Sequence, residues 1–375
     1  MNYTELLAFQ GQPKSGAAPL AGVVMGAPGE VFGTTAGGGH ANCGTVYLLK
    51  PNGIAQFFSI PGGNFGSAPY CDLAVDLHAG ILYGCCTQNG KFGLGVLFAL
   101  TLPGGGLGGA AYHVLVQFDG LTNGSWPLGA VLGPGGILYG VTNGAQATNM
   151  TLGTVFSFNP ANGVFSNLHV FAGPDGAGPN ADLIFDAAGN LFGTTNGGGA
   201  NGVGTVFSIS PSGNFTSLAS FPGGPGGGSF PGGGVVVDPA TGTLYGMTNS
   251  GGAAGVGAVY SLSPNGVLTT LHSFNGGGIL TDGNSPVGGV VLDKLRGCLY
   301  ATGQLGGGPT GNAAGTVIQV ALVAPHHLTV LHTFLDPKDG AYPISLIGDA
   351  LNPIRLYGTT NQGGSTNLGV VFRMA

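Results

Sequence analysis

The sequence predicts an all-β chain, folded as a seven-bladed β-propeller with four antiparallel strands per blade. Three observations predict it. A signature related to L-Y-G-T-T recurs seven times, at Gly33, Gly84, Gly140, Gly193, Gly246, Ala301 and Gly358, with a period of about 54 residues. Three other signatures keep step with it. The chain also begins with a segment of the fourth kind and ends with one of the third, so its two ends complement each other.

Each element follows from its residues. A proline opens every unit (Pro19, Pro69, Pro127, Pro179, Pro231, Pro286, Pro343) and leads into a short innermost strand, clearest in Asp182-Leu183-Ile184-Phe185-Asp186. A turn such as Asp186-Ala187-Ala188-Gly189-Asn190 puts glycine where a hairpin needs positive φ. The L-Y-G signature is the second strand. A Gly/Asn-rich loop and a G-[TVA]-[VL]-[FYI] segment follow, at Gly44, Gly95, Gly153, Gly204, Gly257, Gly315 and Gly369. The outer strand is a run ending in an aromatic residue, such as Leu6-Leu7-Ala8-Phe9, Gln56-Phe57-Phe58 and Leu168-His169-Val170-Phe171. These runs are short, rich in Val, Leu, Phe, Tyr and Thr, and bounded by Gly, Asn, Asp and Pro, which is strand composition. Four-stranded units of this length cannot bury both faces alone, but a ring of them can. The expected organisation is one propeller over residues 1–375, in which strand 3–9 completes the last blade, 343–375, and removes an exposed edge.

Composition limits the partners. Of 375 residues, 8 are Lys or Arg and 14 are Asp or Glu, for a net charge of −6. That excludes the basic footprint of a nucleic-acid binder and gives no electrostatic hold on an anionic membrane. The 79 glycines and 24 prolines resemble low-complexity sequence, but a hydrophobic share of 43% with 21 Phe supplies a core. No apolar run is long enough for a membrane span. The segment Met1-Asn2-Tyr3-Thr4-Glu5 lacks the basic and apolar regions of a signal peptide.

The stretch Leu191-Phe192-Gly193-Thr194-Thr195, followed by Gly204-Thr205-Val206-Phe207, resembles the choice-of-anchor GloVer-type tandem repeat, a family of secreted bacterial repeats. The resemblance covers essentially the whole chain. It implies export and display at the cell surface or in the extracellular space, and brings no catalytic residues.

Several residues are candidates for a site. Asp72 and Asp182 stand three residues after their unit prolines, on innermost strands near the face that carries the longer loops, where binding usually lives. Two carboxylates at the mouth of an axial channel suit a cation or acid/base work, although they lie two blades apart. Tyr70, Trp126 and Tyr342, beside unit prolines, are candidate stacking residues. Asp76, Asp186, Asp238 and Asp293 read as turn-forming residues. His169, His272 and His332 share one register on different outer strands, too far apart for a common metal. No metal site, cofactor, phosphate loop or nucleophile elbow is expected. Cys71 falls opposite Cys85 or Cys86, with Cys43 in a loop on the same face, so two disulfides among these four are expected. The sequons at Asn2, Asn123, Asn149 and Asn214 are candidate glycosylation sites.

The scarcity of charge leaves little colloidal repulsion. It points to a non-catalytic structural or adhesive module whose partner is itself, in a homo-oligomer, fibre or surface layer. The alternative is a glycan-binding propeller; a hydrolase or lyase at the channel mouth is the third reading.

Overall fold

The computed structural model describes residues 1–13, 15–144, 152–180, 183–275, 282–307, 314–335, 339–349 and 351–375. Within them the chain forms the predicted ring of seven antiparallel meanders. From axis to rim, the first blade runs Val23–Met25, Val31–Thr35, Thr45–Leu49 and Ala55–Ser59. The following blades repeat that order. In the fourth and fifth the innermost strand is split, as Ala177–Pro179 with Ile184–Phe185 and as Gly228–Pro231 with Val236–Val237. The seventh runs Ala341–Gly348, Leu356–Gln362 and Val370–Met374, and its outer place is taken by Tyr3–Ala8 from the other end of the chain. Tyr3 pairs with Met374 and Ala8 with Val370, so the ring is sealed as expected. Among the described residues no helix is long and apolar enough to cross a membrane.

The core lies between blades. Seven apolar clusters are found among the described residues, each straddling two neighbouring sheets. The one at the seam joins Phe9, Val23 and Tyr47 to Tyr357 and Val371. Each sheet is therefore apolar on both faces, and its stability depends on its neighbours.

The joint between blades is built on the glycine of the G-[TVA] signature. The residue before each unit proline (Ala18, Ala68, Trp126, Gly178, Phe230, Ser285, Tyr342) has positive φ, between 48° and 59°. Its N–H donates to the carbonyl of the residue preceding the previous unit's glycine, as in Ala68 to Cys43 (3.0 Å), Trp126 to Leu94 (2.9 Å) and, across the seam, Ala18 to Leu368 (2.9 Å). The glycine, itself at positive φ, lies under the proline. A Cβ on Gly44 would sit 2.6 Å from Pro69 Cδ, and one on Gly369 would sit 2.5 Å from Pro19 Cδ. Its carbonyl takes the N–H that ends the outer strand: Phe9 to Gly369 (3.1 Å), Phe118 to Gly95 (3.1 Å), Phe221 to Gly204 (3.0 Å). In the first blade this donor is Ile60, at 3.0 Å from Gly44, and not Phe58 as the aromatic signature suggests. The position needs a buried apolar side chain, and fully buried Ile60 supplies one without a ring.

The two threonines of the signature divide the work. The first reaches the next blade: Thr34 Oγ1 donates to Cys71 O (3.3 Å), Thr194 to Gly233 O (3.0 Å) and Thr359 to Ala21 O (2.8 Å). The second pairs within its sheet, as in Thr35 with Thr45 (2.7 Å) and Thr195 with Thr205 (2.8 Å).

The one unit that replaces the signature glycine explains the pattern. Cross-strand from each glycine stands an aromatic residue, as in Gly33 with Tyr47, Gly193 with Phe207 and Gly358 with Phe372. The ring lies over the glycine, so that a Cβ on Gly193 would be 2.5 Å from Phe207 Cζ. In the sixth blade the glycine is Ala301 and its partner is Ile318. The methyl is admitted because the ring is gone.

The recurrent aspartates close turns as expected. Asp76 Oδ1 accepts the N–H of His78 (3.0 Å) and Ala79 (2.8 Å), and Asp186 Oδ1 that of Ala188 (2.9 Å) and Asn190 (2.8 Å). Asp238 is held below the ordinary carboxylate range by Lys294, 2.8 Å away, and by the Ala240 N–H. At Asp293 and Asp349 burial pushes upward, but Arg296 and Arg355 with nearby backbone N–H groups outweigh it and the carboxyls end low.

Two outcomes are expected. Gly193→Ala lowers stability by about 2 kcal/mol through overpacking, Ala301→Gly costs less, and Phe207→Ile restores part of the loss in the Gly193→Ala background; thermal melting of the four proteins checks the order. The low aspartates ionise more readily in the folded than in the unfolded chain. Their contribution is thus complete above about pH 4 and is lost as pH falls below it. The melting midpoint should drop in that acidic window, and a flat or rising midpoint there contradicts the assignment.

Candidate functional site

The inner strands deliver a ring of side chains to the axis. All seven blades line a cavity of about 120 Å³ at the loop face, with Leu20 and Gly22 from the first, Tyr70 and Asp72 from the second, Leu128 from the third, Asn180 from the fourth and Ser345 from the seventh. The fifth and sixth contribute mainly glycine backbone, and there the strands touch directly. A Cβ on Gly233 would meet Gly288 O at 2.3 Å, and one on Gly288 would meet Ile344 O at the same distance. That side of the axis is closed by main chain. The other side stays open. A second cavity of about 320 Å³ continues between the first four blades, lined by Val24, Met25, Leu73, Ala74, Val75, Ala130, Val131, Leu132 and Leu183. Asp72 lines both spaces, at the point where the polar mouth meets the apolar channel, and among the described residues it is the one charged side chain in either wall.

Asp72 is positioned by its neighbours. Its Oδ1 accepts the Gly22 N–H at 2.5 Å. A Cβ on Gly22 would fall 2.9 Å from Asp72 Oδ2 and 3.2 Å from Ser345 Cβ, so glycine is required for the carboxylate to sit there. The effect reaches Tyr47, whose phenol is driven upward by burial first and by the Asp72 charge second.

The structure thus brings Tyr70 and Asp72 together and adds Asn180 and Ser345, which no sequence signal distinguished. Asp182 lies outside the described residues. Trp126 and Tyr342 occupy the blade joint with φ of 53° and 57°, one residue before their prolines, on the face where the mouth opens. Phe230 holds the same place in the fifth blade, with φ of 55° and 39% of its surface exposed. Bulky residues at positive φ are strained, and such strain concentrates at functional positions.

At the rim, each of the three register-matched histidines meets an aspartate of the following inter-blade turn. His169 approaches Asp175 at 2.7 Å, His272 approaches Asp282 at 2.5 Å, and His332 approaches Asp339 at 3.0 Å. The other carboxylate oxygen accepts a turn N–H, from Ala172, Asn275 and Leu335 respectively. These pairs fasten loops to outer strands, and among the described residues no cluster could hold a metal ion.

The expected disulfides are absent. Cys43, Cys71, Cys85, Cys86 and Cys298 are free thiols. Successive strand residues face opposite ways, so Cys85 joins Cys71 in one inter-blade cluster while Cys86 and Cys43 pack in another. Cys71 Sγ accepts the Cys85 N–H at 2.9 Å. Hydrogen bonding with Cys71, then burial, pushes the Cys85 thiol well up, and burial does the same to Cys86. Of the sequons, Asn2 is exposed, and Asn123 is tied into a turn by Asp119 N and Gln117 O. Exposed Asn214 donates to Ser212 (2.9 Å), and Asn149 lies outside the described residues.

None of the curated protein sequences matches this chain. In structure it is similar over its full length to virginiamycin B lyase from Staphylococcus aureus, with 12% identity and a TM-score of 0.64, covering 100% of this chain and 99% of that one. A streptogramin B lyase matches with 12% identity and a TM-score of 0.62, covering 100% and 97%. The extracellular domain of a one-component-system protein from B. thetaiotaomicron matches with 11% identity and a TM-score of 0.60, over 99% of this chain and 40% of that one. The family model described as the Gloeobacter/Verrucomicrobia repeat matches residues 1–151 and 145–372.

These matches correct the expectation of a non-catalytic chain. That expectation rested on the scarcity of charge over the whole sequence, yet the two lyases share this ring from end to end. Catalysis needs few charged groups, provided that one is well placed, and total charge does not measure placement.

Proposed function

The chain belongs to the Gloeobacter/Verrucomicrobia repeat family, and on that premise we propose that its axial channel binds a small uncharged molecule with a polar head and an apolar body, on which Asp72 acts as general base in a lyase or hydrolase reaction. The observation that carries the reading is the place of Asp72, at the junction of a polar mouth and an apolar channel. Sites for small molecules are mostly apolar concavities with a few convergent polar groups. The apolar walls take the body of the ligand, and Asn180, Ser345 and Tyr70 offer hydrogen bonds to its head. The Gly22 N–H fixes the carboxylate, so its orientation is set before the ligand arrives. Deprotonation of carbon or of water is the chemistry a carboxylate so placed supports. The lyases with the same fold support the reaction class, and self-assembly is not needed to give the chain a role.

The test is a ligand-observed NMR screen of small neutral compounds, sugars and virginiamycin B among them, followed by assays of turnover. Ala130→Phe fills the channel and should weaken hits at least about tenfold. Asp72→Asn keeps an acceptor for the Gly22 N–H and should retain binding, while turnover of a converted hit falls by about 10²–10⁴. Hits indifferent to Ala130→Phe defeat the site, and undiminished turnover by Asp72→Asn defeats the role of the carboxylate.

A further inference from the structure

The ring seam holds a further cavity, of about 220 Å³, between the seventh and first blades. It is lined by Lys50, Arg355 and Arg373, together with apolar surface from Leu6, Val31 and Tyr357. The chain has only 8 basic residues, so three at one cavity is a concentration that composition does not predict. They come from separate parts of the sequence. Lys50 stands in the turn after Thr45–Leu49, where its main chain bonds Ile54 O and Gly53 N (both 2.9 Å). Arg373 is on the final strand, cross-strand from Tyr357 and Thr4. Arg355 precedes the second strand of the seventh blade and uses Nε to bond Asp349 Oδ2 at 2.7 Å.

Arg355 is thus balanced by Asp349, but the other two cations are not. Among the described residues neither Lys50 nor Arg373 has a carboxylate within ion-pair distance. Among the described residues the buried Arg373 Nε has no hydrogen-bond partner. A buried charged donor without an acceptor is costly, and such groups are normally satisfied. Among the described residues no acidic side chain lines the cavity to meet it.

We propose that this cavity is a binding site for a small organic oxyanion, a carboxylate or phosphate ester carrying an apolar or aromatic group. Guanidinium groups present donors in the geometry that matches carboxylate and phosphate, and Lys50 adds a point charge from the facing blade. Leu6, Val31 and Tyr357 give the organic part a surface. The site is separate from the axial channel and does not depend on what that channel binds. Its place has a consequence: the anion touches the last blade, the first blade and the N-terminal strand that seals them. A ligand held there stabilises the closed ring by mass action, because the site does not exist once the seam opens.

The test is thermal melting of the full chain with phenyl phosphate or with benzoate, at concentrations up to about 10 mM, against sodium chloride at matched ionic strength. The expected result is a rise of at least about 2 °C with one or both anions, the two arms telling phosphate from carboxylate. The rise should vanish in Lys50→Gln and in Arg373→Gln. Lys50 sits in a turn held by its main chain, so Lys50→Gln tests the site even if Arg373→Gln fails to fold. No rise with either anion, an equal rise with chloride, or a rise that survives in Lys50→Gln overturns the proposal.

Discussion

The glycine under the next blade's proline is the contact on which the rest of the molecule depends. At Gly44, Gly95, Gly153, Gly204, Gly257, Gly315 and Gly369 a Cβ would strike the proline that opens the following unit, at 2.4–2.7 Å. The carbonyl before each glycine receives the N–H of the residue preceding that proline, and the carbonyl of the glycine itself receives the end of the outer strand. One residue thereby connects its own rim to the axis of its neighbour. Because Gly369 makes the same contact with Pro19, the seam is an ordinary joint whose two sides happen to be the two ends of the chain.

The same joints set the character of the axis. Each proline sends its strand inward at one height, so that seven short strands meet around a common mouth. Glycine at Gly233 and Gly288 lets main chain meet main chain and closes one side. Larger residues, from Val24 to Leu183, keep the other side open as an apolar channel. The functional space is therefore off centre, and Asp72 stands at its entrance. In a chain so poor in charge, the few charged groups are placed rather than scattered: Asp72 at the axis, aspartates in turns, and three cations at the seam.

Much of this was legible in the residues. Four signatures, each recurring seven times, gave the ring, and complementary chain ends gave its closure. The L-Y-A variant at Ala301 was visible as an irregularity, but its cause, Ile318 across the strand, required the register. The gaps have physical reasons. Ile60 was hidden because the joint asks for buried apolar volume and not for an aromatic ring. The histidines were noticed for their shared register, but their aspartate partners lie in turns whose curvature a sequence does not show. Cys85 and Cys86 are adjacent in sequence and face opposite ways in the sheet. Asn180 and Ser345 carry no motif at all, and Lys50, Arg355 and Arg373 meet only because the ring closes.

Amide hydrogen exchange across the seven joints is the most direct measurement of the account. The N–H groups of Ala18, Ala68, Trp126, Gly178, Phe230, Ser285 and Tyr342 all make the same bond, so all should be protected to a similar degree and be released together when the ring unfolds. Early exchange of Ala18 together with Tyr3–Ala8, while the other joints stay protected, would show a ring that is open at its seam and would contradict the account.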